Sequence, residues 1–426
     1  MNLLVPVSNY PHDGHLYSGV FNERSVRALK ELGHRVEVVA PRPYVPRWAG
    51  RWSERWSVYR KISEHEIRNG ISVYRPAYPQ APFIRTALWS DQIAYLCSVG
   101  ECRKRHRQLP YDAILSFNLV GAGGLAWRLG RRLGIPAAGW ATGNDVRVPA
   151  DSSFGRAVRR ALENLDLVFY QSRELLEKAA RLQGRMADRI DAERHVVVPR
   201  GIECPPERSN AARAQRRAEW GLREDQTLVL YVGRIVRSKG VFELVDAVWQ
   251  AKKHLPGIGC LLVGAKSGFD DGEKLAEKLR GMGAGTSIRI LPECSPAHVW
   301  DYLSAADIFA FPSHNEGMPN SLLEAMAMGV PAVAYAIPAI TEIDAGKGAL
   351  AMVRPFEVTE FGQAILELAA SRAKRTAIAA VGLEQIRTRF QAQDRMAEAA
   401  GRLSALIPAA APFKFSGAAS YHTQRP

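Results

Sequence analysis

The sequence alternates short β-rich runs with amphipathic helical stretches, and it does so twice along its 426 residues. In the first half, strands are predicted at 2–8, 35–40, 113–117, 137–140, 167–170 and 195–198. In the second half, they are predicted at 227–232, 259–263, 287–290, 308–311 and 332–336. This alternation is typical of parallel sheets covered by helices on both faces. Because the chain is too long for one ordinary core, we expect an α/β protein of two Rossmann-like doubly wound domains that face each other across a cleft.

Local composition predicts where one unit ends and the next begins. The segment Pro199-Arg200-Gly201 is followed by a Pro-Pro pair and a polar, Arg-rich helix, so the domains are placed at 1–205 and 206–390. Predicted helices include 20–32, 119–133 and an Ala-rich helical region at 356–406. Within it, residues 391–407 are expected to cross back to the first domain. The tail 408–426, rich in Pro, Ala, Gly and Ser, is expected to be flexible.

Composition excludes several classes of protein. No apolar run approaches the roughly 18 residues of a membrane span. The start lacks a charged n-region and reads as a first strand rather than a signal peptide. The five cysteines are scattered without a Cys-x-x-Cys pair, which argues against a disulfide framework or a zinc site. A reducing cytoplasm is the expected location.

Positive charge is concentrated in the first half of the chain. Residues 1–205 carry 31 Lys and Arg against 20 Asp and Glu, whereas residues 206–426 carry 26 against 23. An anionic partner would suit this charge: membrane lipid, a phosphorylated acceptor or nucleic acid. An Arg-rich solvated surface would look the same. Because no nucleic-acid module accompanies the charge, a nucleic-acid partner is not expected.

One segment of the basic half pairs Arg with Trp every four residues. Within 47–56 the pairs Arg-Trp recur three times, and 103–107 adds a second basic cluster. On a helix this would make an Arg stripe beside a Trp stripe, which favours peripheral contact with an anionic membrane at its inner face. The alternative is that the tryptophans pack into the domain as a mobile lid.

A cationic turn follows the predicted strand 227–232. Gly233 allows a tight turn, Arg234 offers a planar fork to phosphate, and Lys239 adds a point charge before a helix that begins near Gly240. The helix start contributes backbone N–H donors and the positive end of a dipole. The pattern indicates a diphosphate site, although a solvent-exposed basic turn would have the same sequence. It is not a Walker loop, since Gly-x-x-x-x-Gly-Lys-Ser/Thr is absent.

Two glutamates bracket a second helix start. Glu316 is predicted to lie in the preceding loop and Glu324 about one turn inside the helix, while Pro319 suits the helix start and Asn320 or Ser321 could cap it. Two carboxylates at this spacing can accept hydrogen bonds from sugar and ribose hydroxyls. A capped helix with two ordinary glutamates is the alternative.

The stretch 316–326, EGMPNSLLEAM, resembles the Glu-x(7)-Glu motif of the retaining glycosyltransferases of family 4, which have the GT-B fold. Residues 233–240 resemble that family's diphosphate-binding Gly-Arg…Lys-Gly. The resemblance extends to about residue 390. It implies a hexosyltransferase that moves sugar from a UDP- or GDP-sugar to a glycan or polyprenyl-diphosphate-linked acceptor with retention of configuration, in surface polysaccharide biosynthesis. Residues 1–205 would then bind acceptor and 206–390 the nucleotide sugar.

The resemblance also implies roles for single residues. Arg234 and Lys239 would hold the donor diphosphate, Glu316 would contact the transferred sugar, and Glu324 the ribose. The remaining residues expected to bind donor are Gly19, Gly317, Met318, Pro319 and Asn320.

The catalytic residues implied by the resemblance are Glu316, Asp145 and Thr142. Segment 142–146, TGNDV, resembles the family's His-Gly-x-Asp-Val/Ile, with Thr142 in place of the histidine that touches the donor sugar in relatives. Segment 338–342, PAITE, stands where the family has Gly-Gly-x-x-Glu. These departures bear on sugar specificity and on activity.

No Asp-x-Asp pair occurs, so neither a divalent metal nor another cofactor is expected. The cations of the turn would neutralise the leaving diphosphate, and electrostatic stabilisation would be the main catalytic effect. Two other readings stay open: a nucleotide-sugar epimerase of the same fold, and a non-catalytic nucleotide-binding member.

Overall fold

The computed structural model of the protein describes residues 1–13, 18–45, 59–60, 62–79, 87–143, 145–206, 210–265 and 270–408. Within them the chain forms two α/β units, each built on one large sheet. The fold class predicted from the alternating pattern is therefore confirmed.

The first unit contains the strands β1 (Asn2–Pro6), β2 (Arg35–Val39), β3 (Arg42–Tyr44), β4 (His65–Arg68), β5 (Ile71–Tyr74), β6 (Ala77–Pro79), β7 (Ala113–Phe117), β8 (Ala137–Ala141), β9 (Leu167–Tyr170) and β10 (His195–Val197). Eight of them form a sheet in the order β10-β9-β8-β7-β1-β2-β5-β4, and β3 pairs with β6. The prediction of a purely parallel sheet is wrong at one edge, where β4 runs antiparallel to β5. Asn69 and Gly70, both at positive φ, reverse the chain there.

The second unit contains the strands β11 (Thr227–Val232), β12 (Ile258–Ala265), β13 (Ile288–Pro292), β14 (Ile308–Phe311), β15 (Ala332–Tyr335) and β16 (Ala351–Val353). They form a wholly parallel sheet in the order β13-β12-β11-β14-β15-β16. The order reverses direction between β11 and β14, which is where an open α/β sheet leaves a crevice for ligand.

The main helices cover the sheets on both faces: α1 (Val20–Glu31), α2 (Ala87–Gln108), α3 (Gly124–Leu133), α4 (Ser153–Asn164), α5 (Arg173–Leu182), α6 (Asn210–Glu219), α7 (Val241–His254), α8 (Gly272–Gly281), α9 (Pro296–Ala305), α10 (Asn320–Ala327), α11 (Pro338–Asp344), α12 (Val358–Ala370), α13 (Arg372–Arg389) and α14 (Ala392–Ser404). Strands β11 and β14 have the bounds predicted for them, 227–232 and 308–311. Helical structure predicted for 356–406 is divided among α12, α13 and α14.

The last helix, α14, packs on the first unit. Met396, Ala399 and Leu403 are buried in the same core cluster as Leu3 and Val5 of β1. Just before α14, the backbone N–H of Ile202 donates to the carbonyl of Phe390, and that of Ala392 donates back to the carbonyl of Ile202. The last helix thereby connects the two units next to Ile202, where the chain passes from the first unit to the second.

The predicted helix 119–133 is wrong in its first turn. Regular helix begins at Gly124, and the preceding segment contains two non-helical residues, Val120 (φ −78°, ψ 128°) and Gly121 (φ 76°, ψ −76°). Two side chains divert the backbone: the amide oxygen of Asn118 accepts from the N–H of Val120, and Asp145 accepts from the N–H of Leu119. These bonds satisfy donors that a helix start leaves unpaired.

Some predicted features lie outside the described residues: the Arg-Trp repeat within 47–56 and the tail from residue 409 onward. The basic cluster 103–107 falls in the last turns of α2, where Arg105 pairs with Glu101 at 3.0 Å. Across the ranges that are described, no helix is long and apolar enough to cross a membrane.

Candidate active site

A cavity of about 350 Å³ lies between the two units. The first unit contributes Val20, Phe21 and Arg24, at the start of α1. The second contributes the two glutamates of the predicted motif, Glu316 and Glu324, and further residues described below. Its volume is within the range of small-molecule sites. The two glutamates thus share one inter-domain pocket, as the sequence predicted.

Lys239 faces Glu316 inside this cavity. Its ammonium nitrogen lies 2.6 Å from Oε1 of Glu316, and both side chains are largely buried. Lys239 ends a short 3₁₀ turn, and Gly240 follows at φ +69°. A Cβ at Gly240 would lie 2.0 Å from the carbonyl oxygen of Pro312, so only glycine lets this turn approach the loop that carries Glu316.

Glu324 is paired across the cleft with Arg24. The distance from Nη1 of Arg24 to Oε1 of Glu324 is 2.6 Å, and the two side chains are 12% and 7% exposed. Burial raises the pKa of Glu324, and the positive charge of Arg24 opposes that rise. Each predicted hydroxyl-binding carboxylate is therefore held by a cation in this structure.

The start of helix α10 forms one wall of the cavity. Met318, Pro319, Asn320 and Ser321 line it. Pro319 is the residue at the N-cap position, and no side chain of the described residues caps the helix. The expectation that Asn320 or Ser321 provides the cap is wrong, because the helix begins at Asn320 itself. The start of this helix therefore lies at the cavity, where its unpaired N–H groups and the positive end of its dipole would stabilise an anion.

Three apolar residues that line the cavity were not predicted from the sequence: Cys294, Pro296 and Val299, before and within α9. Nothing in the sequence marks these positions, because an apolar residue beside a turn is equally consistent with ordinary packing. Tyr231, near the end of β11, also lines the cavity, and it donates its hydroxyl to the carbonyl of Arg234 at 2.9 Å.

Arg234 is not brought into the cavity with Lys239. Its side chain is exposed, and the residues lining the cavity include Gly233 and Lys239 but not Arg234. The role of Arg234 on the donor diphosphate therefore stays a prediction.

Thr142 and Gly317 lie where the two units touch. The Cα of Gly143 and the backbone carbonyl of Thr142 would each be 3.0 Å from a Cβ placed at Gly317. Arg147 reinforces this contact, since its guanidinium donates to the carbonyl of Glu316 and pairs with Glu174 at 2.8 Å. Thr142 and Gly143 of the predicted motif therefore pack against the loop that carries Glu316.

The carboxylate of Asp145 contacts backbone and is not among the residues that line the cavity, so its assignment as a catalytic residue stays a prediction. It is 2% exposed. Its carboxylate accepts from the backbone N–H of Leu119, Thr142 and Gly143 at 2.9–3.2 Å. Burial raises its pKa, and these donors oppose the rise. Its contacts are those of a positioning residue that shapes the loop beside Gly317.

Gly19 is held close to the loop after β1. It takes the N-cap position of α1 in the left-handed conformation, at φ 78°. A Cβ there would lie 2.5 Å from the carbonyl oxygen of Asn9. The residue predicted to bind donor thus lets α1 begin next to the cavity, where Val20, Phe21 and Arg24 follow it.

One further cross-domain contact was not predicted from the sequence. The carboxylate of Glu342, on α11, accepts from the backbone N–H of Arg173 at the start of α5, at 2.8 Å. Pro338 takes the first turn of α11, in the place of the family's first motif glycine. Among the described residues no group of three or more His, Cys, Asp or Glu side chains is arranged to hold a metal ion.

Comparison with known proteins agrees with this architecture. The family model described as glycosyl transferases group 1 matches residues 212–384, and the model described as a glycosyl transferase 4-like domain matches residues 18–201. The chain is 31% identical over 372 residues to the teichuronic acid biosynthesis glycosyltransferase TuaC of Bacillus subtilis strain 168. That alignment covers 86% of this chain and 88% of TuaC.

Solved structures share the fold at lower identity. The sucrose-phosphate synthase of Thermosynechococcus elongatus has a TM-score of 0.72 at 19% identity, covering 94% of this chain and 98% of that one. Anabaena Alr3699/HepE in complex with UDP has a TM-score of 0.71 at 17% identity, covering 95% and 100%. On the family models, the TuaC alignment and the shared fold, the chain belongs to the group 1 glycosyltransferases, with two domains arranged as in GT-B enzymes.

Proposed function

We propose that this glycosyltransferase transfers a sugar from a UDP- or GDP-sugar to a hydroxyl of a glycan or lipid-linked acceptor, with retention of anomeric configuration, in the synthesis of a surface polysaccharide. The single observation that carries the donor assignment is the cavity in which Lys239, Glu316 and Glu324 meet the start of α10. Retention rests on the resemblance to family 4, and the polysaccharide role on the similarity to TuaC, a teichuronic acid biosynthesis enzyme.

The charges of the cavity fit a donor with one anionic and one hydroxyl-rich part. On donor binding, the ammonium of Lys239 would turn from Glu316 to the diphosphate, together with the N–H groups of α10. Glu316 would then accept hydrogen bonds from the sugar. Glu324 would keep Arg24 on one oxygen and accept a ribose hydroxyl on the other.

The proposed reaction breaks the bond between the anomeric carbon and the diphosphate oxygen and forms one to the acceptor oxygen. The acceptor's proton passes to the departing diphosphate. Lys239 stabilises the negative charge that grows on the leaving group, the kind of effect that is usually the largest in such sites. Because the protein supplies this positive charge, we propose that no divalent metal is required.

The test is to supply UDP- and GDP-sugars with octyl glycosides as acceptors, in EDTA, and to determine the anomer of each product by NMR. Glu316→Gln should abolish transfer, whereas Glu277→Gln, at an exposed position of α8, should not. Incubation without acceptor separates transfer from epimerisation, since an epimerase would convert the donor into another nucleotide sugar. Failure of the wild type to consume or bind any of these donors would overturn the proposal.

A further inference from the structure

A second, smaller cavity of about 90 Å³ lies in the first unit. Ser8, Tyr78, Asp91 and Gly121 contribute polar groups to its wall. It sits at the carboxyl edge of the first sheet, because Val7, just beyond β1, bridges to Phe117 at the end of β7. In parallel α/β sheets this edge is the ligand-binding edge. The nucleotide motifs of the sequence leave this cavity unassigned.

The cavity is shaped around the side chain of Asp91, at the start of α2. A Cβ at Gly124 would lie 2.2 Å from Oδ2 and 2.7 Å from Cγ of Asp91, so only glycine leaves room for this carboxylate. Gly121 donates its backbone N–H to Asp91 from a turn at φ 76°, ψ −76°. Such a turn is rare, and glycine can adopt it because it has no Cβ.

Ser8 holds the turn in place. Its hydroxyl donates to the carbonyl of Val120 at 2.7 Å and accepts from the N–H of Ala122 at 3.3 Å. The loop after β1 and the loop after β7 are thereby joined on either side of Gly121. The irregular segment that replaces the predicted first helical turn is the wall of this cavity.

Both loops continue to the edge of the donor cavity. On one side, Asn9 follows Ser8, and its carbonyl accepts from the side-chain amide of Asn22 at 2.9 Å, beside Gly19. On the other side, the amide of Asn118 donates to the hydroxyl of Thr142 at 3.4 Å, next to the contact with Gly317. The two loops that line the small cavity therefore lead toward Gly19 and Gly317, which are chain neighbours of residues that line the donor cavity.

The size and the charge of the small cavity restrict the kind of chemical group that it can bind. A volume of about 90 Å³ holds several waters but is well below the roughly 300 Å³ at which pockets for whole small molecules begin. Asp91 is 3% exposed. Burial raises the pKa of Asp91 to about 7, while the charge of Arg128, on α3, and the Gly121 N–H oppose the rise. A buried carboxylate gains most from a ligand that donates hydrogen bonds to it.

We propose that this cavity is a subsite for the acceptor, in which the carboxylate of Asp91 accepts a hydrogen bond from a hydroxyl of the acceptor sugar. The inference rests on the proposed transfer reaction and adds to it where the acceptor binds. Gly121 and Gly124 give Asp91 its place, and a carboxylate has acceptor positions beyond the one that the Gly121 N–H uses. The role is one of binding and orientation of the hydroxyl-bearing group.

The experiment measures binding of the octyl glycosides of glucose, galactose and N-acetylglucosamine by saturation-transfer NMR, with UDP and GDP binding and acceptor-independent donor hydrolysis followed in parallel. Asp91→Asn removes the charge and keeps the shape. Gly124→Ala displaces Asp91 without altering it. The controls are Glu101→Gln and Gly100→Ala, on the same helix α2; Glu101 pairs with Arg105, and a Cβ at Gly100 meets nothing within 4 Å.

Both test variants should weaken glycoside binding about tenfold or more, the effect of one charge-assisted hydrogen bond, and leave nucleotide binding unchanged. The controls should bind as the wild type does. The subsite is overturned if Asp91→Asn binds glycoside normally, or if the wild type binds none of the three. If glycoside binding falls as expected while no variant or wild type consumes a nucleotide sugar, the transfer reaction fails and the subsite stands.

Discussion

Arg24 and Glu324, separated by 300 positions in the chain, form a hydrogen-bonded ion pair of 2.6 Å that joins the two units across the cleft. Arg24 comes from α1 of the first unit and Glu324 from α10 of the second. Since the carboxylate is 7% exposed, it has little access to water and depends on this partner. The proposed ribose-binding residue is thus oriented by the opposite domain.

Removal of Arg24 should therefore be costly to the fold. Arg24→Gln leaves a buried carboxylate unpaired, and we expect the free energy of unfolding to fall by about 3 kcal/mol. Arg24→Gln combined with Glu324→Gln should recover part of that loss, giving a clear coupling energy in a double-mutant cycle from urea unfolding. Arg27→Gln is the control. Arg27 lies on the same helix, its side chain is 43% exposed, and its guanidinium comes no closer than 3.6 Å to a carboxylate oxygen, that of Glu203. If Arg24→Gln and Arg27→Gln lower the free energy of unfolding equally, this account is contradicted.

Gly19 allows a test of close backbone approach against backbone strain alone. Gly19→Ala should cost about 1 kcal/mol for the left-handed conformation and about 1–3 kcal/mol more for the 2.5 Å contact with Asn9. Gly33→Ala is matched in conformation, at φ +84°, but a Cβ there meets nothing within 4 Å. Thermal unfolding should rank Gly19→Ala well below Gly33→Ala, and equal midpoints would show that the approach to Asn9 does not matter.

Asp145 should act on stability and on the position of its loop. Asp145→Asn keeps the size but turns an amide NH₂ toward backbone N–H groups that now donate to the carboxylate. We expect a loss of about 2 kcal/mol in the free energy of unfolding, the usual cost of unsatisfied buried donors. Asp151→Asn, at an exposed site of the same unit, should change it by less than about 0.5 kcal/mol. An unaltered urea midpoint for Asp145→Asn would refute the positioning role.

His195 gives the protein a pH dependence of known sign. Burial, and then the charge of Arg194, lowers its pKa from 6.5 to about 4, and its Nδ1 lies 2.8 Å from the hydroxyl of Tyr170. Between pH 4 and pH 6.5, His195 therefore binds a proton more readily in the unfolded chain than in the folded protein. Stability contributed by neutral His195 is therefore present above pH 6.5 and is lost as the pH falls toward 4, by up to about 1.4 kcal/mol per pH unit.

Urea unfolding at several pH values tests this sign. The wild type should lose stability more steeply between pH 6.5 and 4 than His195→Gln does. His254→Gln, at the exposed end of α7, should follow the wild type. Parallel curves for the wild type and His195→Gln would contradict the assignment.

Continuous apolar runs made much of the fold predictable. Strand β11 is buried over Leu228–Tyr231, and β14 over all four of its residues, so their hydrophobicity alone marks them. Strand β4 escaped prediction because it lies at an edge and its four residues, His65–Arg68, are all at least partly exposed. The turn before α3 was not predicted because its backbone conformation depends on a hydrogen bond from Leu119 to Asp145, which is 26 residues away in the chain.

The site was predictable in its motifs but not in its cross-domain partners. Glu316, Glu324 and Lys239 follow from their spacing and from the family resemblance. Arg24 does not, because one arginine in an amphipathic helix resembles a solvated surface residue until the second unit places Glu324 beside it. Asp91 could not be predicted from the sequence either, since the glycines that surround it, Gly121 and Gly124, are at least 30 positions away in the chain.

The most direct measurement of the central claim compares nucleotides with nucleosides by titration calorimetry, using UDP with uridine and GDP with guanosine. Lys239→Ala removes the cation and leaves Glu316 unpaired, so it should weaken binding of the favoured nucleoside diphosphate about tenfold or more and leave nucleoside binding unchanged. Lys253→Ala, at an exposed position of α7, should bind both as the wild type does. Equal weakening of diphosphate and nucleoside by Lys239→Ala, or no diphosphate binding by the wild type, would contradict the account.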